Sequence, residues 1–231
     1  MTRSHGTAPL KRKAADIDRI LTKVYGKKDA ELEDDPLDTL IETILSQNTT
    51  DKNSHRAFQA LKKAYPSWGK LMGEDVDKVA KVIRSGGLAG IKASRILDAL
   101  EFINRERGVL NLDFLRDMSP QDAEAWLAQM KGVGPKTRSI VLLFSLGMPA
   151  FPVDTHIHRV TKRIGLIGPS VSREQAQTDL AALVPRREFY NYHINLIEHG
   201  RAVCQARKPR CPMCQISSHC DYFVRTVKAE N

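Results

Sequence analysis

Lys136 and Asp154 stand in settings that suit covalent chemistry, 18 positions apart (154 − 136 = 18). Lys136 follows the tight turn Gly132-Val133-Gly134-Pro135, and Asp154 follows a proline-broken apolar run in Phe151-Pro152-Val153-Asp154-Thr155-His156. A lysine in the first turn of a helix faces the positive end of the helix dipole, which favours the neutral amine. A neutral amine is a nucleophile able to form a Schiff base. The alternative for the same side chain is a point charge held against a phosphate. Asp154 is placed to cap the helix that begins at Thr155. A capping carboxylate is held in place, so it can also take a proton or stabilise positive charge developing nearby.

The turn before Lys136 narrows the kind of substrate. Glycines at 132 and 134 permit positive φ and let a phosphate reach backbone N–H groups. Pro135 suits the first helical position, where no N–H is required. The turn therefore presents a helix start, an anion site without sequence preference. Val133 and Thr137 flank it, and His156 follows Asp154, completing a candidate set of nucleic-acid contacts. The formal net charge of +9 points the same way. The first dozen residues hold no apolar core segment, so a secretory signal is not expected. No apolar run reaches the ~20 residues of a membrane helix.

A second constellation lies near the C-terminus. Cys204-x6-Cys211-x2-Cys214-x5-Cys220 places all four cysteines of the chain within 17 residues. In a chain with no export signal this argues for metal rather than disulfides. Zinc sites usually bring two close pairs, and only Cys211/Cys214 is one. Iron–sulfur clusters take four thiolates at family-dependent spacings. Arg207, Lys208 and Arg210 lie between the first two cysteines, so a metal-closed loop would present a phosphate-binding patch whose folding depends on the metal.

The elements that must position these residues read as all-α, with no alternating strand of useful length and no internal repeat. Residues 1–12 read as a solvated basic tail. Ile17, Ile20, Leu21 and Val24 mark a helix stopped at Gly26, and an acidic linker runs from Asp29 to Pro36. Leu37, Leu40, Ile41, Ile44 and Leu45 form the next apolar stripe, ending in Ser46-Gln47-Asn48-Thr49-Thr50-Asp51. Those polar residues cap the helix of residues 51–65 or probe base edges. Val76 to Ile83 mark a further helix, stopped by Gly86-Gly87. Leu88 then opens a long helix through Ile103, either as a packing staple or as a wedge for a base stack. Ser119-Pro120-Gln121-Asp122 reads as a helix start, continued by Ala125, Leu127 and Met130. Helices over 155–164 and 172–183 follow, and Ile194, Leu196, Ile197 and Ala202 mark the last.

Taken together, KGVGPKT, VDTH, SQNTTD and the cysteine spacing resemble the helix-hairpin-helix DNA glycosylase superfamily, and within it the endonuclease III family, over Leu37 to Tyr222. The resemblance implies two helical domains with a DNA cleft between them. One spans 37–148 with the hairpin, and the other joins 13–36 to 149–231 with the cysteine loop. It makes Lys136 the nucleophile and Asp154 the essential carboxylate, and it puts a structural [4Fe–4S] cluster on Cys204, Cys211, Cys214 and Cys220. Asn48, where the family more often has glutamine, fills the gap left by a flipped base, with Gln47 beside it and Leu88 as a second wedge. Adenine glycosylases of the superfamily lack the lysine. The segment from Leu88 to Lys136 looks longer than in the best-known members, and Lys131 stands where proline is common. The implied activity is base-excision removal of oxidised pyrimidines with abasic-site (AP) lyase nicking. The implied partner is double-stranded DNA with a damaged base or abasic site, met by a cytoplasmic, nucleoid-associated bacterial monomer. A mismatch-specific (T·G or U·G) glycosylase and a non-catalytic DNA-binding or redox module are the other readings.

Overall fold

The computed structural model describes residues 7–30, 32 and 35–227. Among them the regular structure is α1 (Thr7–Tyr25), α2 (Pro36–Ser46), α3 (Asp51–Ala64), α4 (Trp68–Leu71), α5 (Val76–Val82), α6 (Ala89–Arg107), α7 (Pro120–Leu127), α8 (Pro135–Ile140), α9 (Thr155–Ile164), α10 (Arg173–Leu183) and α11 (Phe189–Ala202), with short 3₁₀ and π turns and no strand. The fold is all-α. The chain forms two compact units, Glu31–Met148 and Met1–Ala30 joined with Pro149–Asn231.

In the continuous unit, helix starts follow from short polar side chains. Asp35 accepts from Leu37 N at 2.8 Å and Asp38 N at 2.9 Å, and Pro36 opens α2 without wasting a donor. Thr50 caps α3, and Ser119 caps α7 through Asp122 N at 3.1 Å. Leu37, Leu40, Ile41, Ile44 and Leu45 are fully buried, so α2 is the hydrophobic spine of this unit. On α7 the inward face is Ala123, Leu127 and Met130, and Ala125 is exposed. Leu127 and Met130 of the expected stripe are buried, and the spacing i, i+4, i+7 selects Ala123 in place of Ala125. Helix α8 widens into a π turn at Val141–Ser145, and the chain reverses at Gly147 with φ 64°. The positive φ at Gly147 is what requires glycine there; the nearest atom to an added Cβ, Leu32 Cδ1 at 2.7 Å, ends an exposed side chain that can move aside.

In the discontinuous unit, α1 begins at Thr7, so residues 7–12 are solvated as expected, apart from the half-buried Leu10, but helical rather than a tail; residues 1–6 lie outside the described residues. Ala14, Ile17 and Leu21 carry the buried face of α1. The last helix departs from expectation. Its buried residues include Asn191, His193, Asn195 and His199, whereas Ile194 and Ile197 are half-buried. The amide groups of Asn191 and the Asn195 NH₂ are satisfied internally, while the buried Asn195 Oδ1 has no partner among the described residues. Asn191 accepts from Lys28 N at 3.0 Å and donates to Asp18 Oδ1 and Thr22 Oγ1 at 2.9 Å each, and Asn195 donates to Asn191 Oδ1 at 3.1 Å.

Burial, reinforced by the charge of Glu188, raises the Asp18 carboxyl from 3.8 to about 6. The folded state therefore holds a proton on Asp18 that the unfolded chain has released, and stability falls as pH rises from about 4 through about 6. Asp18→Asn keeps an acceptor for Asn191 and removes that slope. Between pH 4 and 7 the natural chain should lose about 1–2 kcal/mol more stability than the variant in urea unfolding, a figure discounted for the half-exposed position.

Candidate active site

The hairpin joins α7 to α8. Gly132 has φ 83°, which a side chain would resist, while Gly134 is extended (φ −76°, ψ 174°) with open space where a Cβ would project. The two glycines thus serve different ends: Gly132 makes the turn, and Gly134 leaves the backbone open to approach. Val133 and Thr137 turn inward at 3% and 4% exposure, and Val133 N–H is already bonded to Met130 O at 3.2 Å. Their side chains pack within the hairpin, which leaves any contact with DNA to their backbone. Arg138 donates to Val133 O at 2.9 Å and braces the turn from within. Lys136 is exposed in the first turn of α8, on the open side.

Three residues other than glycine have positive φ among the described residues: Asn48 (52°), Leu88 (48°) and Lys208 (52°). All three are residues singled out as DNA contacts. Left-handed backbone is tolerated by asparagine but strains leucine and lysine, and such strain gathers where function demands it. Leu88 is 52% exposed, so it is not a packing staple; Ile91, one turn on in α6, is exposed to the same extent. Asn48 is exposed at the end of α2, whereas Gln47 is occupied. Gln47 Oε1 accepts from Arg95 Nη1 at 2.5 Å, and its Nε2 donates to Gly132 O at 3.3 Å. Both ends of the Gln47 amide are thus bonded within the protein. Lys92, 1% exposed, donates to Leu45 O at 2.6 Å and Gly86 O at 2.8 Å, closing the ends of the two segments that lead to Asn48 and Leu88.

In the discontinuous unit, Asp154 Oδ1 accepts from Ile157 N at 2.7 Å and caps α9. Among the described residues the second carboxylate oxygen has no bond of this kind, so capping leaves the group able to act. His156 is half-buried, with Nδ1 at 3.2 Å from Arg159 Nη2. Arg159 and Arg163, one turn apart on α9, staple the cysteine loop. Arg159 donates to Cys204 O at 2.9 Å and Gly200 O at 2.8 Å, and Arg163 to Gln205 O at 2.7 Å and Ala206 O at 3.1 Å.

All four cysteines are free thiols lining one cavity with Arg163, His199, Ile216 and Tyr222. Arg163 Nη1 lies 3.4 Å from Cys204 Sγ, and His199 Nε2 lies 3.6 Å from Cys214 Sγ. Burial pushes the Cys214 thiol up to about 11 and raises Cys211 and Cys220 as well. Among the described residues no three His, Cys, Asp or Glu side chains are close enough to share one metal ion. A four-iron cluster spreads its thiolates farther apart than one ion does, and N–H donors aimed at sulfur suit it. The donor set fits such a cluster. Arg207, Lys208 and Arg210 are exposed on the same loop.

Sequence reading missed Lys92, Arg95, Arg138, Arg159, Arg163 and His199. One signal was present for Lys92: the buried stripe of Ile96, Leu100 and Ile103 extends back to it at helical spacing.

The HhH-GPD superfamily of base excision DNA repair proteins matches residues 41–186. A protein of Arabidopsis thaliana is 37% identical over 176 residues, covering 76% of this chain and 60% of its own length. Endonuclease III of a Synechocystis species is 34% identical over 215 residues, covering 92% of this chain and 94% of that protein. A solved non-covalent endonuclease III–DNA complex superposes with a TM-score of 0.81 at 26% identity, covering 94% of this chain and 98% of the other. No described helix is long and apolar enough to cross a membrane. With a helix-hairpin-helix followed by an exposed lysine, a capping aspartate and a four-cysteine loop, the chain belongs to the HhH-GPD superfamily of base excision DNA repair proteins and is a DNA glycosylase of the endonuclease III kind.

Proposed function

We propose that Lys136 is the nucleophile of a bifunctional glycosylase and AP lyase acting on oxidised pyrimidines in duplex DNA. The observation that carries this reading is Lys136 itself, an exposed amine on the first turn of the helix that the hairpin presents. The flipped nucleotide brings C1′ to Nζ, the C1′–N bond to the base breaks, and the base leaves with a proton. The amine then holds the opened sugar as a Schiff base, loss of a C2′ proton expels the 3′ phosphate, and water frees the lysine. Asp154, fixed by its cap, stabilises the positive charge on the sugar and helps move the proton. Asn48 and Leu88 occupy the space the base vacates. The protein acts as a monomer on nucleoid DNA in the cytoplasm.

The four cysteines would hold a [4Fe–4S] cluster, which supplies a cross-link that closes the C-terminal loop. Arg163 directs an N–H at the Cys204 sulfur and His199 Nε2 lies against the Cys214 sulfur, and the loop carries Arg207, Lys208 and Arg210 outward to the phosphates. Lys208→Glu should weaken binding to any duplex and lower the slope of log K against log salt by about one counterion, measured by fluorescence anisotropy.

The test of the function is borohydride reduction of the protein with an abasic-site duplex, paired with base release from duplexes carrying oxidised pyrimidines, uracil or T·G pairs. A covalent adduct and preferential release of oxidised pyrimidine are expected. Wild-type protein that forms no adduct removes the lyase reading, and preferential release from T·G assigns it to mismatch repair.

A further inference from the structure

We propose that Gln47 and Arg95 form a strut that fixes the hairpin against the Asn48 loop, so that gripping the phosphate and opening the base pair become one movement. The proposal rests on the glycosylase reading above and assigns these two as positioning residues. Everything in it lies within Glu31–Met148.

Both ends of the Gln47 amide are engaged. Its carbonyl takes the Arg95 guanidinium at 2.5 Å, and its NH₂ reaches Gly132 O at 3.3 Å, so a residue beside Asn48 is tied to the turn of the hairpin. The Arg95 stem fills the space beneath that turn. A Cβ on Gly132 would lie 2.7 Å from Arg95 Cδ and 2.8 Å from Nε. The turn therefore sits on Arg95, with glycine required by its φ of 83° and by this contact together.

One turn earlier on α6, Lys92 holds Leu45 O and Gly86 O. Helix α6 thus anchors three segments that the function uses: the end of α2 before Asn48, the glycine turn before Leu88, and the hairpin. Asn48 and Leu88 have left-handed backbones, and a strained conformation persists only when its surroundings over-determine it. The strut supplies that determination for Asn48. When the hairpin closes on phosphate, a rigid link carries Asn48 into the stack; without it the hairpin still binds, but the loop lags.

The experiment compares the full-length wild type with Gln47→Leu, Arg95→Met and the double variant. Gln47→Glu is added because this isostere keeps Arg95 and cuts only the bond to Gly132 O. Arg95→Lys, which keeps the stem and a donor, is the conservative rescue. Binding to undamaged duplex is read by anisotropy, base-pair opening by 2-aminopurine placed beside a paired oxidised pyrimidine, and chemistry by borohydride trapping during turnover of that duplex and on single-stranded abasic DNA. Opening and duplex trapping should fall about tenfold to a hundredfold in Gln47→Leu, Arg95→Met and Gln47→Glu, and no further in the double variant. Arg95→Lys should recover part of the loss. Binding to undamaged duplex should stay within about twofold, since no phosphate contact is removed. Trapping on single-stranded abasic DNA, where no pair has to open, should match the wild type.

Wild-type opening in the single variants, additive losses in the double, or an equal loss on single-stranded DNA each overturns the strut. Wild-type protein that traps on neither substrate removes the underlying enzyme reading instead, so the two failures are distinct. Thermal melting of each variant shows whether it folds. If Leu and Met both unfold the unit, Gln47→Glu and Arg95→Lys carry the comparison.

Discussion

Lys136→Gln should abolish the borohydride-trapped adduct and lower nicking of an abasic duplex by about a thousandfold or more, while binding to that duplex stays near wild type. The side chain is exposed and has no partner among the hydrogen bonds and ion pairs of the hairpin, so shortening it and replacing its amine by an amide costs the fold little. On the proposed mechanism, what is lost is the lone pair that attacks C1′. A residue that only steadied phosphate would behave differently, because its loss would raise KM and flatten the salt dependence while leaving kcat nearly unchanged. Single-turnover nicking with excess enzyme, set beside binding by anisotropy, separates the two. A variant that still traps on abasic DNA would move the nucleophile elsewhere, whatever happens to its affinity.

Features that depend on short stretches of chain were legible in the sequence. The hairpin could be read because glycine, proline and lysine each answer a local demand for positive φ, a missing donor and a positive charge within a few residues. Caps were equally local: Asp154 bonds Ile157 N three residues on, and Ser119 bonds Asp122 N three residues on. The cysteine spacing pointed to a loop that the structure closes around one cavity. What escaped was set by contacts distant in sequence. Gln47 was read as a base-edge probe, yet its partners lie 48 and 85 positions away. The polar inner face of α11 contradicts the rule that buried stripes are apolar. Its asparagines are acceptable only because Lys28 N, Asp18 and Thr22 come from residues more than 160 positions earlier. That the side chains of Val133 and Thr137 turn inward was likewise not legible, because a motif does not say which of its side chains pack.

Lys92 is where that limit has the largest energetic consequence. Lys92→Met should destabilise Glu31–Met148 by about 2–4 kcal/mol. Methionine matches the length and fills the same volume, so packing around α6 changes little. Polarity is what is lost. Leu45 O and Gly86 O give up donors at 2.6 and 2.8 Å in a place where water does not reach, and each buried carbonyl left unpaired costs about 1–3 kcal/mol. Against this, the variant no longer buries an ammonium group, whose affinity for its proton is lowered first by burial and then by the charge of Arg95. That opposing term keeps the net loss below the sum of two unpaired carbonyls. It also leaves a signature. Because the folded chain releases the Lys92 proton more readily than the unfolded chain, wild-type stability should rise as pH climbs toward the ordinary lysine range, and the variant should lack that rise. Urea unfolding followed by tryptophan fluorescence reads this unit alone, since both tryptophans, Trp68 and Trp126, lie in it. A loss under about 1 kcal/mol would mean that the two carbonyls find other donors once the amine is gone. The segments before Asn48 and Leu88 would then be held by packing, and the lysine would be dispensable to the geometry of base opening.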